Sequence, residues 1–192
     1  MQLPSTGRDS VNLGALPGRS VVYIHPRTGR SDQEPPEVWN AFPGARGCTP
    51  QSCSFRDHKS ELKQLGAGIF GLSTQDTPYQ SEAVERLHLP FELLSDESFR
   101  FVRALRLPTF ELAGETFVER VTLILRSGVV EEVFYPVFPP DEEDHRRQNA
   151  VRLIAARVEA GLAGERVPAS WPQGSSVRRC RVSSLPPGLQ CW

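Results

Sequence analysis

The chain reads Gly47-Cys48-Thr49-Pro50-Gln51-Ser52-Cys53 where an amphipathic helix is predicted to begin. Pro50 suits the first turn of a helix, and apolar side chains follow at helical spacing as far as Leu65. The unpaired amides and the positive dipole end of a helix start stabilise a thiolate. Cys48 is therefore placed to be a nucleophile, while Cys53, inside the helix, is suited to a second, resolving step.

The C-x4-C spacing limits how Cys48 and Cys53 can pair. In an ideal helix, Cα atoms five residues apart are separated by roughly 8.6 Å. A disulfide spans no more than about 7 Å between Cα atoms. A Cys48–Cys53 disulfide therefore requires the first turns of the helix to unwind, so the reduced and disulfide states must differ in local fold.

Other interpretations of the two cysteines stay open on the residues alone. A static disulfide is disfavoured by the helical spacing and by a reducing compartment. A zinc site would need ligands such as His58, Cys180 or Cys191, which lie far along the chain. A thioredoxin-type dithiol would use C-x-x-C, which the chain lacks. Two unrelated buried cysteines are the remaining alternative.

Composition narrows the classes of function. The chain has 192 residues, of which 39% are hydrophobic and 23% charged, and its net charge is −1. That length predicts one domain of ordinary size, and the balanced charge disfavours nucleic acid or a membrane as partner. No apolar run of about 18 residues is present. With no signal peptide in the sequence, we expect a cytoplasmic location.

The order of predicted elements indicates an α/β fold, in which a sheet is covered by helices. We expect a domain over residues 1–164, with a long Pro- and Gly-rich loop at 27–47, and a basic Pro/Ser-rich tail at 165–192. Cys180 and Cys191 lie in that tail and have no assigned role. Strands are predicted at 20–25, 69–73, 91–94, 109–112, 117–125 and 129–135, and helices from Thr49 onward and at 82–89, 95–105 and 141–162.

The residues from Pro43 to Asp57 resemble the active-site segment of peroxiredoxins, most closely the Q-type (bacterioferritin-comigratory-protein-like) subgroup. The resemblance continues through 69–73, 93–96 and 120–124 and covers roughly residues 3–154. It implies a thioredoxin-like fold, with a central mixed sheet flanked by helices. It also implies thiol-dependent reduction of hydrogen peroxide and organic hydroperoxides.

The resemblance also implies roles for individual residues. Cys48 matches the peroxidatic cysteine, Cys53 the resolving cysteine, and Arg120 the arginine that contacts the thiolate and the peroxide. Pro26, Gly47 and Thr49 are expected to line the substrate pocket. A Cys48–Cys53 disulfide would be recycled by thioredoxin or a similar dithiol. The chemistry needs no metal, flavin or nucleotide, and a monomer or weak dimer is expected.

The chain departs from the family pattern in two places. Ala45 stands where the family has a threonine or serine whose hydroxyl helps to hold the peroxide. Pro26 precedes Cys48 by 22 residues, far more than in the family, and the extra residues form the 27–47 loop. Thr28 is therefore a candidate for the missing hydroxyl. Ala45 also keeps open a second hypothesis, a non-enzymatic thiol redox sensor or binding module on the same fold.

Overall fold

The computed structural model describes residues 1–7, 9–34, 37–41, 45, 47–135, 154–156 and 158. Nine strands lie within these residues: β1 (Leu3–Pro4), β2 (Ser10–Val11), β3 (Arg19–Ile24), β4 (Ala67–Ser73), β5 (Glu92–Ser95), β6 (Thr109–Leu112), β7 (Glu115–Val118), β8 (Val121–Arg126) and β9 (Val129–Phe134). Five α-helices accompany them: α1 (Glu37–Ala41), α2 (Cys48–Asp57), α3 (Lys59–Gln64), α4 (Thr77–Leu87) and α5 (Arg100–Ala104).

A five-stranded sheet in the order β5-β4-β3-β8-β9 forms the centre of the molecule. β3 and β4 pair in parallel, as do β4 and β5, whereas β8 is antiparallel to both β3 and β9. The sheet is therefore mixed, which confirms the predicted α/β class. Two small antiparallel pairs, β1-β2 and β6-β7, lie outside it.

Alternate residues of β3 face opposite sides of the sheet and build two cores. Val22 and Ile24 pack with the apolar residues around α5. Val21 and Tyr23 lie on the other face, where they pack with the buried sides of α2, α3 and α4 and with helical residues 154, 155 and 158. All four β3 side chains are fully buried. α2, which begins at Cys48, therefore covers the Tyr23 face.

Three helices differ in extent from the sequence prediction, and one of them, α5, spans only Arg100–Ala104 where the sequence predicts a helix at 95–105. The helix from Thr49 divides into α2 and α3 at His58, whose backbone leaves helical geometry (φ −98°, ψ 8°). α4 begins five residues earlier than residue 82, because the Asp76 carboxylate accepts a hydrogen bond from the amide of Tyr79 at 2.7 Å and a proline lies in the first turn.

The strand predicted over 117–125 is two strands, β7 and β8, interrupted at Glu119 and Arg120. The amide of Glu119 donates to the carbonyl of Pro108 at 2.9 Å, which ties the exit of β7 to the entry of β6. β7 therefore ends its pairing with β6, and β8 starts in the central sheet. Arg120 lies at this change of sheet.

The predicted loop at 27–47 contains a short helix, α1, among its described residues. The helix predicted at 141–162 lies outside the described residues except for 154–156 and 158, which are helical, and the tail at 165–192 lies wholly outside them. The domain boundaries stay a prediction. Over the part of the chain that is described, we find no helix with the length and apolar character to cross a bilayer.

Candidate active site

Cys48 is the first residue of α2, and its side chain is 2% exposed. Gly47 precedes it in the left-handed conformation (φ 97°, ψ 10°), which only glycine adopts without strain. The carbonyl of Gly47 accepts the amide of Gln51 at 3.0 Å and so closes the first helical turn. The cysteine thus lies at the amino end of the helix, as the sequence predicts, where the helix dipole favours a negative sulfur.

Arg120 reaches the Cys48 sulfur from the sheet. Its Nη2 lies 3.3 Å from Sγ and 3.3 Å from the carbonyl oxygen of Ala45. The Cys48 thiol lies 3.7 Å from the same carbonyl, to which it donates. Arg120 is 8% exposed and Ala45 1% exposed, so a guanidinium charge faces the sulfur in a site largely closed to water. This charge stabilises a thiolate and can donate hydrogen bonds to an oxygen beside it.

Cys53 lies on the same continuous helix as Cys48, and both are free thiols. It is partly exposed and packs against the core on the Tyr23 face. With both cysteines inside one α-helix, the structure corresponds to the reduced state. The disulfide state would require α2 to unwind.

A buried hydrogen bond holds α2 to the sheet between the two cysteines. The hydroxyl of Tyr23 donates to the Ser52 hydroxyl at 3.1 Å, and both residues are fully buried. The Tyr23 ring stacks on Phe55 at 4.5 Å between centroids. Burial raises the pKa of Tyr23 above its usual range, so the phenol stays protonated and remains a donor. No local sequence pattern predicts this contact, because it joins a strand to a helix 29 residues away.

Pro26, Thr49 and Thr28, the other residues predicted at the site, differ in burial and in hydrogen bonding. Pro26 is buried, and its carbonyl accepts the hydroxyl of Ser73 at 3.1 Å. Thr49 is partly exposed in the first turn of α2. The described hydrogen bonds of Thr28 go through its backbone, from its amide to Gln75 at 3.1 Å and from the hydroxyl of Tyr79 to its carbonyl at 2.8 Å.

The Thr28 side chain is 1% exposed, and its hydroxyl makes no hydrogen bond within the described residues. A buried hydroxyl without a partner is available to a ligand. Its part in holding a peroxide stays a prediction, since its described contacts lie with Gln75 and Tyr79 rather than with Cys48.

The 27–47 loop places Trp39 in an aromatic cluster beside Ala45. Trp39 of α1 contacts Phe117 at 4.9 Å and Phe110 at 6.4 Å between ring centroids. Phe110 and Phe117 are cross-strand partners in the β6-β7 pair, and Ala45 packs into the same cluster. The segment before Cys48 is therefore anchored on the hairpin that leads to Arg120.

His25 is a further residue near the site, and it ends the strand that the sequence predicts at 20–25. It directly follows β3, is fully buried, and stacks on Tyr23 with ring centroids 5.5 Å apart. Burial, and then the positive charge of Arg120, lower the pKa of His25 to about 3. The imidazole is therefore neutral at physiological pH. The alternation of side chains along β3 could have shown from the sequence that His25 lies on the same face as Tyr23.

The described residues contain no group of three or more His, Cys, Asp or Glu side chains arranged to hold a metal ion. What the site does hold is a nearly buried thiol at a helix start, facing an arginine that projects from a mixed sheet. This is the arrangement of a thiol-based redox protein with a thioredoxin-like fold.

Comparisons with known proteins agree with that class. Residues 1–151 match the Redoxin family profile, and the chain belongs to the Redoxin family. It is 33% identical over 135 residues to peroxiredoxin Q, chloroplastic, of Oryza sativa subsp. japonica, covering 69% of this chain and 54% of that protein. It is 32% identical over 134 residues to the protein of the same name from Sedum lineare, covering 69% and 63%. The chain thus spans about half the length of the first of these relatives.

Solved structures share the fold. Peroxidoxin BcpB of Mycobacterium tuberculosis has a TM-score of 0.62 at 20% identity, covering 83% of this chain and 92% of that one. Peroxiredoxin Q of Xanthomonas campestris has a TM-score of 0.62 at 21% identity, covering 83% and 90%. The thioredoxin-like fold and the resemblance to Q-type peroxiredoxins are confirmed.

Proposed function

We propose that this protein is a thiol-dependent peroxidase that reduces hydrogen peroxide and organic hydroperoxides. The observation that carries the proposal is the 3.3 Å contact between Nη2 of Arg120 and Sγ of Cys48 at the start of α2. Its relatives are named peroxiredoxin Q, and the structure of the Xanthomonas campestris bacterioferritin comigratory protein is described by its alkyl peroxide reduction activity. These names support the same chemistry here and do not favour the sensor hypothesis.

In the first step, the Cys48 thiolate attacks one peroxide oxygen and forms an S–O bond while the O–O bond breaks. Cys48 becomes a sulfenic acid, and the departing oxygen takes up a proton and leaves as water or an alcohol. Negative charge grows on that oxygen as the bond breaks. Arg120 is placed beside the sulfur, so its guanidinium stabilises the thiolate before the step and the oxygens during it.

In the second step, the Cys53 sulfur attacks the sulfenic sulfur of Cys48. An S–S bond forms, the S–O bond breaks, and water leaves. α2 must unwind for the two sulfurs to meet, because both cysteines lie within the one helix Cys48–Asp57. The buried contact between Tyr23 and Ser52 lies between them and opposes this movement.

An external dithiol then reduces the disulfide by thiol–disulfide exchange. We propose thioredoxin as that dithiol, the cytoplasm as the location, and a monomer or weak dimer as the working form. A cytoplasmic location would keep Cys48 and Cys53 reduced between turnovers. The plant relatives are named as chloroplastic, so location is a separate question to be answered by fractionation of the source cells.

The function is tested by peroxide consumption with thioredoxin, its reductase and NADPH. We expect Cys48→Ser to abolish turnover, and Cys53→Ser to reduce one equivalent of peroxide and then stop. Ser54→Ala, on the same helix, serves as the control and should keep turnover. Turnover that survives Cys48→Ser would contradict the mechanism. Slow single oxidation of the wild-type protein, with no recycling by several dithiols, would favour the redox sensor instead.

A further inference from the structure

His25 is a buried polar residue whose role the peroxidase mechanism leaves unexplained. It is 0% exposed, and neither ring nitrogen has a hydrogen-bond partner within the described residues. Burying an imidazole in this way costs stability, since its nitrogens lose water and gain no hydrogen bond from a described residue. A polar group held in this state points to a partner that arrives in another state of the protein.

The register of the sheet places His25 opposite Arg120. Ile24 pairs with Val121 in the antiparallel β3-β8 ladder, so the next pair along the two strands is His25 with Arg120. The amide of His25 still donates to the carbonyl of Leu72 at 3.0 Å, which continues the strand geometry to this residue. Opposite residues in such a ladder project from the same face with Cβ atoms about 5 Å apart. The imidazole and the guanidinium are therefore neighbours on the face that α2 covers.

His25 can accept a hydrogen bond from Arg120 because it is neutral. The charged group that acts on it is Arg120, directly before β8, and its ring stacks on the titratable Tyr23 of β3. Burial and the charge of Arg120 both disfavour a second positive charge on the imidazole. A neutral imidazole keeps one ring nitrogen with a free lone pair, which is an acceptor for a guanidinium.

Two acceptors of Arg120 lie in the part of the chain that rearranges during the reaction cycle. In the reduced state Nη2 contacts the Ala45 carbonyl and the Cys48 sulfur. Both belong to the start of α2 and the residues before it, the part of the chain that must rearrange for the disulfide to form. A buried guanidinium that loses two acceptors is strongly destabilised unless others replace them.

We propose that His25 receives the Arg120 guanidinium when α2 unwinds, and that this hydrogen bond stabilises the disulfide state relative to the reduced state. His25 is thus a positioning residue, acting on the reaction through Arg120. The inference rests on the proposed function only in using the Cys48–Cys53 disulfide. It explains why an imidazole without a partner is retained in the reduced protein.

The test measures the reduction potential of the Cys48–Cys53 couple in mixtures of oxidised and reduced dithiothreitol, with no peroxide present. His25→Phe keeps a flat ring against Tyr23 but removes both nitrogens. We expect the disulfide to become about tenfold easier to reduce, a rise of about 30 mV for a two-electron couple. We also expect an unchanged or higher Tm for the reduced protein, because an apolar ring replaces an unsatisfied polar one.

Two further variants separate this role from a structural one. Thr122 carries a buried hydroxyl that, like the His25 ring, makes no hydrogen bond within the described residues, and it lies opposite Tyr23 on β8. Thr122→Val removes this hydroxyl and should leave the reduction potential unchanged. His25→Gln keeps an acceptor and should recover part of the shift. The inference would be overturned if the equilibrium constant for reduction of the His25→Phe disulfide lay within threefold of the wild-type value. It would also be overturned if Thr122→Val shifted the potential as much as His25→Phe. Failure of the wild-type chain to form the disulfide would overturn it as well. If the disulfide forms and His25→Phe raises its potential as expected, but the protein turns over no peroxide, only the proposed function is contradicted.

Discussion

Nη2 of Arg120 lies 3.3 Å from Sγ of Cys48, although 72 residues separate them in the chain. The contact exists because two breaks in regular structure coincide. Arg120 lies where the chain leaves β7 for β8, and Cys48 lies where the left-handed Gly47 turns the chain into α2. Main-chain geometry holds the backbone at both residues, so only the Arg120 side chain has to be ordered for the charge to meet the sulfur.

Removing the Arg120 guanidinium should slow the first step. We expect Arg120→Leu to lower kcat/KM for hydrogen peroxide on the order of 10²–10³-fold, as for loss of one charge-stabilising donor. Arg120→Lys keeps the charge but not the planar guanidinium, so its kcat/KM should lie between those of the wild type and Arg120→Leu. The measurement is stopped-flow oxidation of the reduced protein. Arg126→Leu, at a half-exposed position of β8, the strand that follows Arg120, is the control. Equal effects at the two positions would refute the role of Arg120.

Gly47→Ala should destabilise the protein through the backbone at the start of α2. The φ of 97° at this residue costs a side chain roughly 1–2 kcal/mol. We expect a loss of that size in the free energy of unfolding, measured in urea, and slower reaction of Cys48 with peroxide as the first turn is displaced. Gly29→Ala is the matched control, because Gly29 has no positive φ and an added Cβ would meet no atom within 4 Å. A loss of stability in the control as large as in Gly47→Ala would contradict the explanation.

The hydrogen bond between Tyr23 and Ser52 should restrain the unwinding of α2. Tyr23→Phe removes it while keeping the stacked ring, at a cost of about 1 kcal/mol. The helix then unwinds more readily, so we expect disulfide formation after the sulfenic acid to quicken by roughly fivefold. The two phases are separated by stopped-flow fluorescence, and the first should not change.

Tyr135→Phe is the control for that experiment, since the exposed Tyr135 bonds only to Glu119 among the hydrogen bonds described. Ser52→Ala should reproduce the Tyr23→Phe effect, and the double variant should add little to either one. Slower or unchanged disulfide formation in Tyr23→Phe would mean that this contact does not oppose unwinding.

The sequence predicted the parts of the site that depend on local chemistry. The helix start at Cys48, the position of Cys53 inside the helix and the strand ending at Pro26 follow from spacing and from proline and glycine signals. The resemblance to peroxiredoxins supplied Arg120. The apolar runs of β3 and β4 gave a buried sheet, because strands covered on both faces are apolar throughout.

The remaining features depend on contacts that no local pattern records. The split of the 117–125 strand follows from the pairing of β7 with β6, which leaves Arg120 between that ladder and the ladder of β8 with β3. The fold of the 27–47 loop depends on the packing of Trp39 against the cross-strand pair of Phe110 and Phe117. The position of His25 opposite Arg120 comes from the register of β3 against β8, which is set by the whole sheet.

The buried His25 also predicts a pH dependence of stability. Its pKa is about 3 in the folded protein and about 6.5 when exposed on unfolding. A depressed pKa means that the unfolded chain binds the proton more tightly, so the stability is fully present above about pH 6.5 and is lost as the pH falls toward 3. Between pH 7 and pH 5 this residue alone should lower the free energy of unfolding by about 2 kcal/mol.

His25→Phe isolates that contribution, because all other titrating groups remain. The loss of stability between pH 7 and pH 5, measured by urea unfolding of the reduced proteins, should be about 2 kcal/mol smaller in the variant than in the wild type. His58→Phe is the matched control: its ring is partly exposed and bonded at Nδ1 to the Ser54 carbonyl at 2.9 Å. Equal pH dependence in wild type and His25→Phe would show that the imidazole gains water or a partner in the folded state. The account of Arg120 in the disulfide state would then lose its neutral acceptor.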